Sequence, residues 1–315
     1  MNTIEPLSYL YTYSCNEDER DLRNLEMRSF FGSDTIKAVL ISKEKIDPSR
    51  SPFMKGRIDI IFKARTVEEL AKQLDGLEID KPFKVVFVKN PDHSNEEAVR
   101  FKMRREIERS IGLKIKGEVD LIYPSMLFGI MKVEGEWLFG RYYKSKAVWL
   151  HHQNKPHQYS TALSTRVARA VVNIAVPNST GIKMIDPCCG IGTVLVEALS
   201  MGIQIIGRDI NPLVLPGTRE NIAHFGFHTE VTLGDINDVT GSYDVAIIDM
   251  PYNLCSVITS KEKLEMIQSA RRFSKKVVIV TIEPMDSVIE AAGFEIVDRC
   301  VAKKGTFLRE VLVCQ

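Results

Sequence analysis

Residues 185–193, with the sequence IDPCCGIGT, have the pattern of a strand that ends at Asp186, turns tightly through Gly190 and Gly192, and continues into a helix. Glycine lets a backbone approach a ligand closely, and α/β sheets bind nucleotides in the crevice beyond the carboxyl ends of their strands. Leu195 stands where the dinucleotide fingerprint needs glycine or alanine, and the chain has no phosphate-binding GxxxxGK[ST] loop. The stretch therefore predicts a nucleotide site of another class, unless it is only a packed strand-to-helix turn.

From residue 183 onward, short runs rich in β-branched residues alternate with longer helical stretches, as is typical of a parallel sheet covered by helices. The last two runs are too close together for a crossover helix, so we predict that the sheet ends in an antiparallel hairpin. The predicted α/β fold has seven strands, six parallel and one reversed, and a further helix over residues 161–176. The predicted strands are residues 183–186, 203–209, 230–234, 243–249, 276–282, 294–300 and 307–314.

The chain has 315 residues, of which 44% are hydrophobic and 26% charged, a composition typical of a soluble globular protein with about two domains. No apolar run approaches the roughly 18 residues of a membrane span, and the N-terminus shows no secretory signal pattern. The six cysteines lack CxxC pairs and histidine partners at metal-ligand spacing. We therefore expect a cytoplasmic protein with no membrane segment, no metal site and no disulfide scaffold.

The N-terminal half has a different organisation, with at least two α+β units and a basic segment. Residues 101–158 carry 11 basic and 6 acidic side chains, although the whole chain has a net charge of only +1. This surplus favours a polyanion partner, and a solvated helix face explains it equally well on charge alone. A predicted helix over residues 95–112 places Val99, Met103 and Ile107 on one face, and short strands are predicted around EVDLIYP, MLFGIMKV and EWLFGRYY.

Four aspartates follow successive predicted strands of the C-terminal half: Asp186, Asp209, Asp235 and Asp249. A carboxylate after the second strand is placed to accept hydrogen bonds from ribose hydroxyls, and Asp235 is placed to meet an adenine amine. Each of them alone could be a helix N-cap or a turn residue. Four acids at corresponding positions indicate a shared nucleotide-type site.

The fourth of these strands ends in DMPY, residues 249–252, which resembles the (Asp/Asn)-Pro-Pro-Tyr motif of methyltransferases that modify exocyclic base amines. Together with DPCCGIGT, this motif makes the C-terminal half resemble an S-adenosylmethionine-dependent class I methyltransferase, whose Rossmann-like fold has a seven-stranded sheet with an antiparallel terminal hairpin. The N-terminal half resembles a THUMP-type RNA-binding module. The stretches VDLIYP, EWLFGRYY and KPHQYSTALSTRVARAVVNIA are similar to parts of the tRNA guanosine-N2 methyltransferase family.

The resemblance implies a division of the chain into four segments. These are a ferredoxin-like domain over residues 1–75, a THUMP-like RNA-binding domain over 76–150, a linker or substrate loop over 151–165, and a methyltransferase domain over 166–315. It also implies S-adenosyl-L-methionine as the cofactor. The implied partner is tRNA, bound through the THUMP-like region and residues 101–158.

The implied chemistry explains the DMPY motif. The exocyclic amine of guanine is a poor nucleophile because its lone pair is delocalised into the ring. Asp249 and the carbonyl of Met250 would each accept a hydrogen bond from one N–H group of this amine. Tyr252 would stack on the base once the base has left the RNA stack. The implied catalytic residues are Asp249, Met250, Pro251 and Tyr252. The implied cofactor-binding residues are Asp186, Pro187, Cys188, Gly190, Gly192, Thr193, Asp209, Ile210, Asp235, Ile236 and Asp249.

Several alternatives stay open at this point. Met250 stands where the family has proline, so the fixed φ angle of proline is lost. Methylation of adenine N6 in RNA or DNA suits the same carboxylate and carbonyl, and a non-catalytic RNA-binding protein on a methyltransferase scaffold is a second alternative. Cys188 and Cys189 could be nucleophiles, but we favour small buried residues. The three histidines of residues 151–157 lack cysteine partners, so we predict a linker or an RNA contact rather than a metal site.

Overall fold

The computed structural model describes residues 5–93, 99–251, 258–304 and 307–315. The helices are α1 (Arg20–Phe31), α2 (Val67–Gln73), α3 (Phe101–Gly112), α4 (Thr165–Ala175), α5 (Thr193–Ser200), α6 (Leu215–His224), α7 (Ser260–Phe273) and α8 (Asp286–Ala291). The strands are β1 (Ser8–Tyr13), β2 (Val39–Ser42), β3 (Met54–Ala64), β4 (Phe83–Phe87), β5 (Met126–Val133), β6 (Glu136–Lys144), β7 (Lys183–Asp186), β8 (Gln204–Asp209), β9 (Val231–Leu233), β10 (Tyr243–Asp249), β11 (Ser274–Thr281), β12 (Ile296–Lys304) and β13 (Phe307–Cys314).

Two compact units share these elements. The first takes its described residues from the ranges 1–14, 35–49 and 53–146, and the second from 15–34, 50–52 and 147–315. This division differs from the four segments implied by the resemblance. The ranges 1–75 and 76–150 contribute strands to one sheet, because β3 pairs with β6. The ferredoxin-like and THUMP-like assignments stay predictions.

The first unit is built on a six-stranded sheet in the order β2-β1-β3-β6-β5-β4, in which only β4 and β5 run parallel. Helices α2 and α3 pack on it through one apolar cluster. In this cluster, Leu70 of α2 and Ile107 and Ile111 of α3 contact the phenylalanines of the strands. The six strands and two helices of this unit confirm an N-terminal α+β region.

Two local predictions for the first unit are corrected by the structure. Residues 117–124 form no strand beyond an isolated bridge, because the Asp120 carboxylate accepts the backbone N–H groups of Ile122 (2.8 Å) and Tyr123 (2.9 Å) and turns the chain. Met103 is exposed rather than buried beside Ile107, so the apolar face of α3 is narrower than predicted. Residues 95–98 of the predicted helix lie outside the described residues.

The second unit is built on a seven-stranded sheet in the order β12-β13-β11-β10-β7-β8-β9. Strand β13 is antiparallel to both of its neighbours, and the other pairs are parallel. The prediction of six parallel strands and one reversed strand is therefore confirmed. The buried strand β11, with Val277 and Ile279 in the core, packs against α7 through Met266, Ile267 and Phe273.

Helix α1 belongs to the second unit although it lies near the start of the chain, because it packs against α4 and β12. Two bidentate ion pairs fasten this segment: Arg28 donates to Asp298 at 2.8 Å, and Arg166 donates to Glu19 at 2.7 Å. At the centre of the packing, the buried Glu26 accepts hydrogen bonds from Ser51 and Asn173. Residues 15–34 and 50–52 thus belong to the same compact unit as the C-terminal sheet.

The described helices include no segment with the length and apolar character needed to cross a membrane.

Candidate active site

The turn after β7 places backbone at the centre of the crevice formed by the strand ends. Gly190 and Gly192 have φ angles of +49° and +81°, a left-handed conformation that favours glycine. A side chain at Gly192 would also lie 2.8 Å from Thr218, so this glycine allows α5 and α6 to pack closely. Gly192 therefore supports close packing at the turn, and Gly190 lines the crevice; the cofactor-binding role of both stays a prediction.

A cavity of about 550 Å³ occupies this crevice. Its wall includes the turn, the ends of β8 and β10, the residues after β9, the start of α7 and the loop 159–163. Of the residues assigned from sequence, those on the wall are Asp186, Pro187, Cys188, Gly190, Thr193, Asp209, Ile210, Asp235, Ile236, Asp249, Met250 and Pro251. Tyr252 lies outside the described residues.

Asp209 links the end of β8 to the glycine turn. Its Oδ2 atom accepts the backbone N–H of Gly190 at 2.7 Å, and its Oδ1 atom accepts that of Asn211 at 2.8 Å. A carboxylate has about four lone-pair positions, so it can accept further donors from a ligand. Asp209 is thus held in a fixed orientation with acceptor capacity directed at the cavity.

Asp186 is the most buried of the four strand-end acids, and its Oδ1 atom accepts the N–H of Cys188 at 3.2 Å. Burial raises the pKa of Asp186 well above its usual range, and the negative charges of Asp249 and Asp209 raise it further. Asp235 caps the 3₁₀ turn Ile236–Asp238 through the N–H of Asn237 at 2.8 Å. The concentration of carboxylates makes the cavity favourable for a cationic ligand.

Two isoleucines provide apolar surface within this acidic wall. Ile210 follows Asp209 and is 66% exposed, and Ile236 follows Asp235 and is buried. When a flat apolar ligand covers an exposed isoleucine, apolar surface is removed from water, and this burial favours binding. An acid is followed by an isoleucine after both β8 and β9. Such a pair can bind a flat ring, with the isoleucine against its face and the acid at its polar edge.

Met250 continues the parallel ladder beyond β10. Its N–H donates to the carbonyl of Val280 at 2.9 Å, a bond that proline at this position could not make. Its side chain is buried in the apolar cluster of the sheet together with Met266 of α7. Methionine in place of proline therefore exchanges a rigid φ angle for a hydrogen bond and core packing.

The adjacent cysteines are poorly suited to nucleophilic catalysis. Burial raises the pKa of both the Cys188 and the Cys189 thiol, and the charge of Asp186 adds to the rise at each. A thiol with a raised pKa is not ionised near neutral pH, and the thiolate is the nucleophile. The environment favours small packed residues at these two positions.

The histidines of residues 151–157 do not form a common site. His152 is buried and its Nδ1 atom lies 2.7 Å from Glu197 of α5, whereas His157 pairs with Glu220. Among the described residues, no group of His, Cys, Asp and Glu side chains is arranged to hold a metal ion.

Sequence reasoning missed a buried polar group behind α5. Glu197 is fully buried and is held by Arg169 at 2.7 Å as well as by His152. Lys155 is also buried, and its Nζ atom donates to Thr193 Oγ1 at 2.8 Å. No signal in the sequence indicated these pairs, because their partners lie far apart in the chain and form no local pattern.

Comparison with known proteins agrees with this geometry. Residues 152–286 match the family described as RMKL-like, methyltransferase domain. The matched residues contain the glycine turn, all four strand-end acids and the DMPY motif. The match covers less than half of the chain.

Two curated relatives are archaeal proteins named tRNA (guanine(10)-N2)-dimethyltransferase. The one from Methanothermobacter thermautotrophicus is 32% identical over 174 residues, which is 52% of this chain and 51% of the relative. The one from Methanocaldococcus jannaschii is 24% identical over 226 residues, which is 70% of this chain and 56% of the relative. The chain thus spans about half the length of these relatives.

Among solved structures, the crystal structure of TrmN from Thermus thermophilus superimposes with a TM-score of 0.51 at 16% identity, over 98% of this chain and 99% of that one. Together with the family match and the strand order, this likeness shows the fold. The second unit has the Rossmann-like, seven-stranded sheet with a terminal antiparallel hairpin that is typical of class I methyltransferases, as predicted.

Proposed function

We propose that the protein transfers a methyl group from S-adenosyl-L-methionine to the exocyclic N2 amine of a guanosine in tRNA. The observation that carries this proposal is that the four strand-end acids and Met250–Pro251 line one cavity. The methyltransferase family match and the names of the two archaeal relatives support it.

The donor set of the cavity fits S-adenosyl-L-methionine. A volume of about 550 Å³ lies within the range of small-molecule sites. Asp209 can accept the ribose hydroxyls, Asp235 the adenine amine, and the two isoleucines can enclose the adenine ring. When bound, the cofactor supplies a methyl group on a positively charged sulfur, and the surrounding carboxylates favour this positive charge.

Asp249 and the Met250 carbonyl act on the base. Each accepts one N–H of the guanine N2 amine, which favours a tetrahedral nitrogen whose lone pair is free to attack. The bound cofactor would supply the methyl group to this nitrogen and leave as S-adenosylhomocysteine, and Asp249 or water would accept the displaced N2 proton. Because the displacement must be in line, most of the rate acceleration comes from positioning. Tyr252 is the proposed stacking partner of the extruded base.

The first unit is the proposed RNA-binding region. Helix α3 carries arginines on its exposed surface, and residues 101–158 have a surplus of basic side chains. These groups suit the phosphates and shape of a folded RNA, and the second unit then acts on the extruded base. We place the protein in the cytoplasm with its tRNA substrate.

The test is to incubate the protein with unmodified tRNA and S-adenosyl-L-methionine labelled in its methyl group, and to identify the product by nucleoside mass spectrometry. We expect labelled N2-methylguanosine or N2,N2-dimethylguanosine. Labelled N6-methyladenosine would instead favour the adenine alternative, which the same carboxylate and carbonyl suit. Binding of tRNA with neither transfer nor stabilisation by S-adenosylhomocysteine would favour a non-catalytic RNA-binding protein.

A further inference from the structure

The cavity has one wall that differs from the rest in charge. Six acidic residues line the cavity, whereas Thr193, the first residue of α5, accepts a hydrogen bond from the ammonium group of Lys155. Both side chains are more than nine-tenths buried. A buried ammonium group destabilises the folded state unless a partner compensates its charge, so the burial of Lys155 beside Thr193 indicates a role for the pair.

The hydrogen-bond chemistry of the pair is determined by the lysine. An ammonium group can only donate, so Thr193 Oγ1 must accept from Lys155 and its own proton must point elsewhere. Because Thr193 lines the cavity, a bound ligand can accept this proton.

The charges behind α5 agree with this. Glu197 is engaged by Arg169 and His152 on its two oxygens, at 2.7 Å each. This buried group therefore combines the cationic side chains of Arg169 and Lys155 with the Glu197 carboxylate. Burial lowers the pKa of Lys155, and the negative charge of Glu197 opposes this change. Thr193 thus brings a hydroxyl bonded to an ammonium group to a wall that also carries the four strand-end acids.

We propose that Lys155 is a positioning residue that orients the Thr193 hydroxyl toward the α-carboxylate of the cofactor. This inference rests on the proposed function and adds a determinant of cofactor orientation. The carboxylate end of a zwitterionic ligand is repelled by the strand-end aspartates and attracted to the Thr193 wall. The sulfonium and ribose then lie against the acids, so the two kinds of wall place the ligand in a single orientation.

The test compares two ligands that differ only in the carboxylate: S-adenosylhomocysteine and its decarboxylated analogue, S-adenosyl-3-thiopropylamine. Their dissociation constants are measured by titration calorimetry on the full chain. A hydrogen bond to a charged group is worth about 1.5–3 kcal/mol, so Lys155→Met and Thr193→Val should each reduce the preference for S-adenosylhomocysteine by about tenfold or more. The double variant should lose no more than the larger single loss, because the two side chains act as one unit.

Two variants separate this role from a structural one. Thr193→Ser keeps the hydroxyl and should keep the preference. Lys276→Met removes another buried lysine, whose Nζ atom donates to the carbonyls of Ile174 and Ala175 at 2.9 Å at the end of α4, and should leave the preference unchanged. Equal weakening of both ligands by Lys155→Met and Thr193→Val would overturn the inference while leaving the proposed function intact. Failure of the unmodified protein to bind either ligand would overturn the proposed function and this inference with it.

Discussion

Replacement of Glu26 by glutamine tests whether α1 packs into the core of the second unit. Glu26 is fully buried, and it accepts hydrogen bonds from Ser51 and, at 2.7 Å, from Asn173. Burial raises the pKa of this carboxyl from an ordinary 4.5 to about 7, although the two hydrogen bonds oppose the rise. Glutamine has the same shape, remains neutral at every pH and can serve the same two neighbours.

The magnitude follows from the difference in pKa between the folded and unfolded states. Because the folded-state pKa is the higher one, the folded protein binds more protons than the unfolded chain between these two values. The stabilisation is fully present below about pH 4.5 and is lost as the pH rises through about 7. A difference of about 2.5 units corresponds to about 3 kcal/mol in the free energy of unfolding.

The assay is urea-induced unfolding of the natural protein and Glu26→Gln at a series of pH values from 4.5 to 8. We expect the natural protein to lose about 3 kcal/mol relative to Glu26→Gln across this range. Glu290→Gln, at an exposed position on α8, is the matched control and should change the free energy of unfolding by less than about 0.5 kcal/mol. If the difference between the natural protein and Glu26→Gln does not change with pH, Glu26 is hydrated and α1 does not pack as described.

Four further outcomes are expected. Asp209→Ala should weaken S-adenosylhomocysteine binding by about 10- to 100-fold, measured by calorimetry, because it removes charged acceptors for the ribose. Asp249→Ala should abolish methyl transfer to tRNA in a radiolabel assay and leave cofactor affinity largely intact. Binding of tRNA by filter retention should fall by roughly tenfold or more between about 50 and 200 mM salt if residues 101–158 neutralise even two phosphates. Cys188→Ala and Cys189→Ala should each keep methyl transfer, because burial raises the pKa of both thiols and no thiolate takes part.

Each of these outcomes has a result that contradicts it. Unchanged cofactor affinity in Asp209→Ala removes the ribose role, and transfer by Asp249→Ala removes that residue from the chemistry. Affinity for tRNA that does not respond to salt contradicts the electrostatic part of RNA binding. Loss of transfer in either cysteine variant, with cofactor affinity retained, would return the nucleophile alternative to consideration.

The pattern of residues along the chain was sufficient for the architecture of the second unit. The β-branched runs, the glycine turn and the short final connection are local signals, and six parallel strands with one reversed strand follow from them. The acids after β7, β8, β9 and β10 were also predictable as neighbours, since the carboxyl ends of parallel strands meet at one edge of a sheet. The structure places all four on one cavity.

Local patterns failed where a short polar interaction decided the backbone. The run EVDLIYP has the composition of a strand, yet the Asp120 carboxylate captures two backbone N–H groups and turns the chain at residues 117–124. The structure also brings Gly192 against Thr218, a contact that its place in the turn did not predict, and its assignment to the cofactor stays a prediction. In both cases the residue type was informative, but its partner could not be read from spacing.

By itself, the sequence determined the sheet, its hairpin and the acids at its edge, because backbone geometry and hydrophobic periodicity act over a few residues. Only the tertiary structure decided which distant polar groups are buried together, such as Glu26 with Asn173 and Lys155 with Thr193. The free energy of a buried polar pair depends on the removal of water and on a partner tens of residues away, and neither quantity has a local signature.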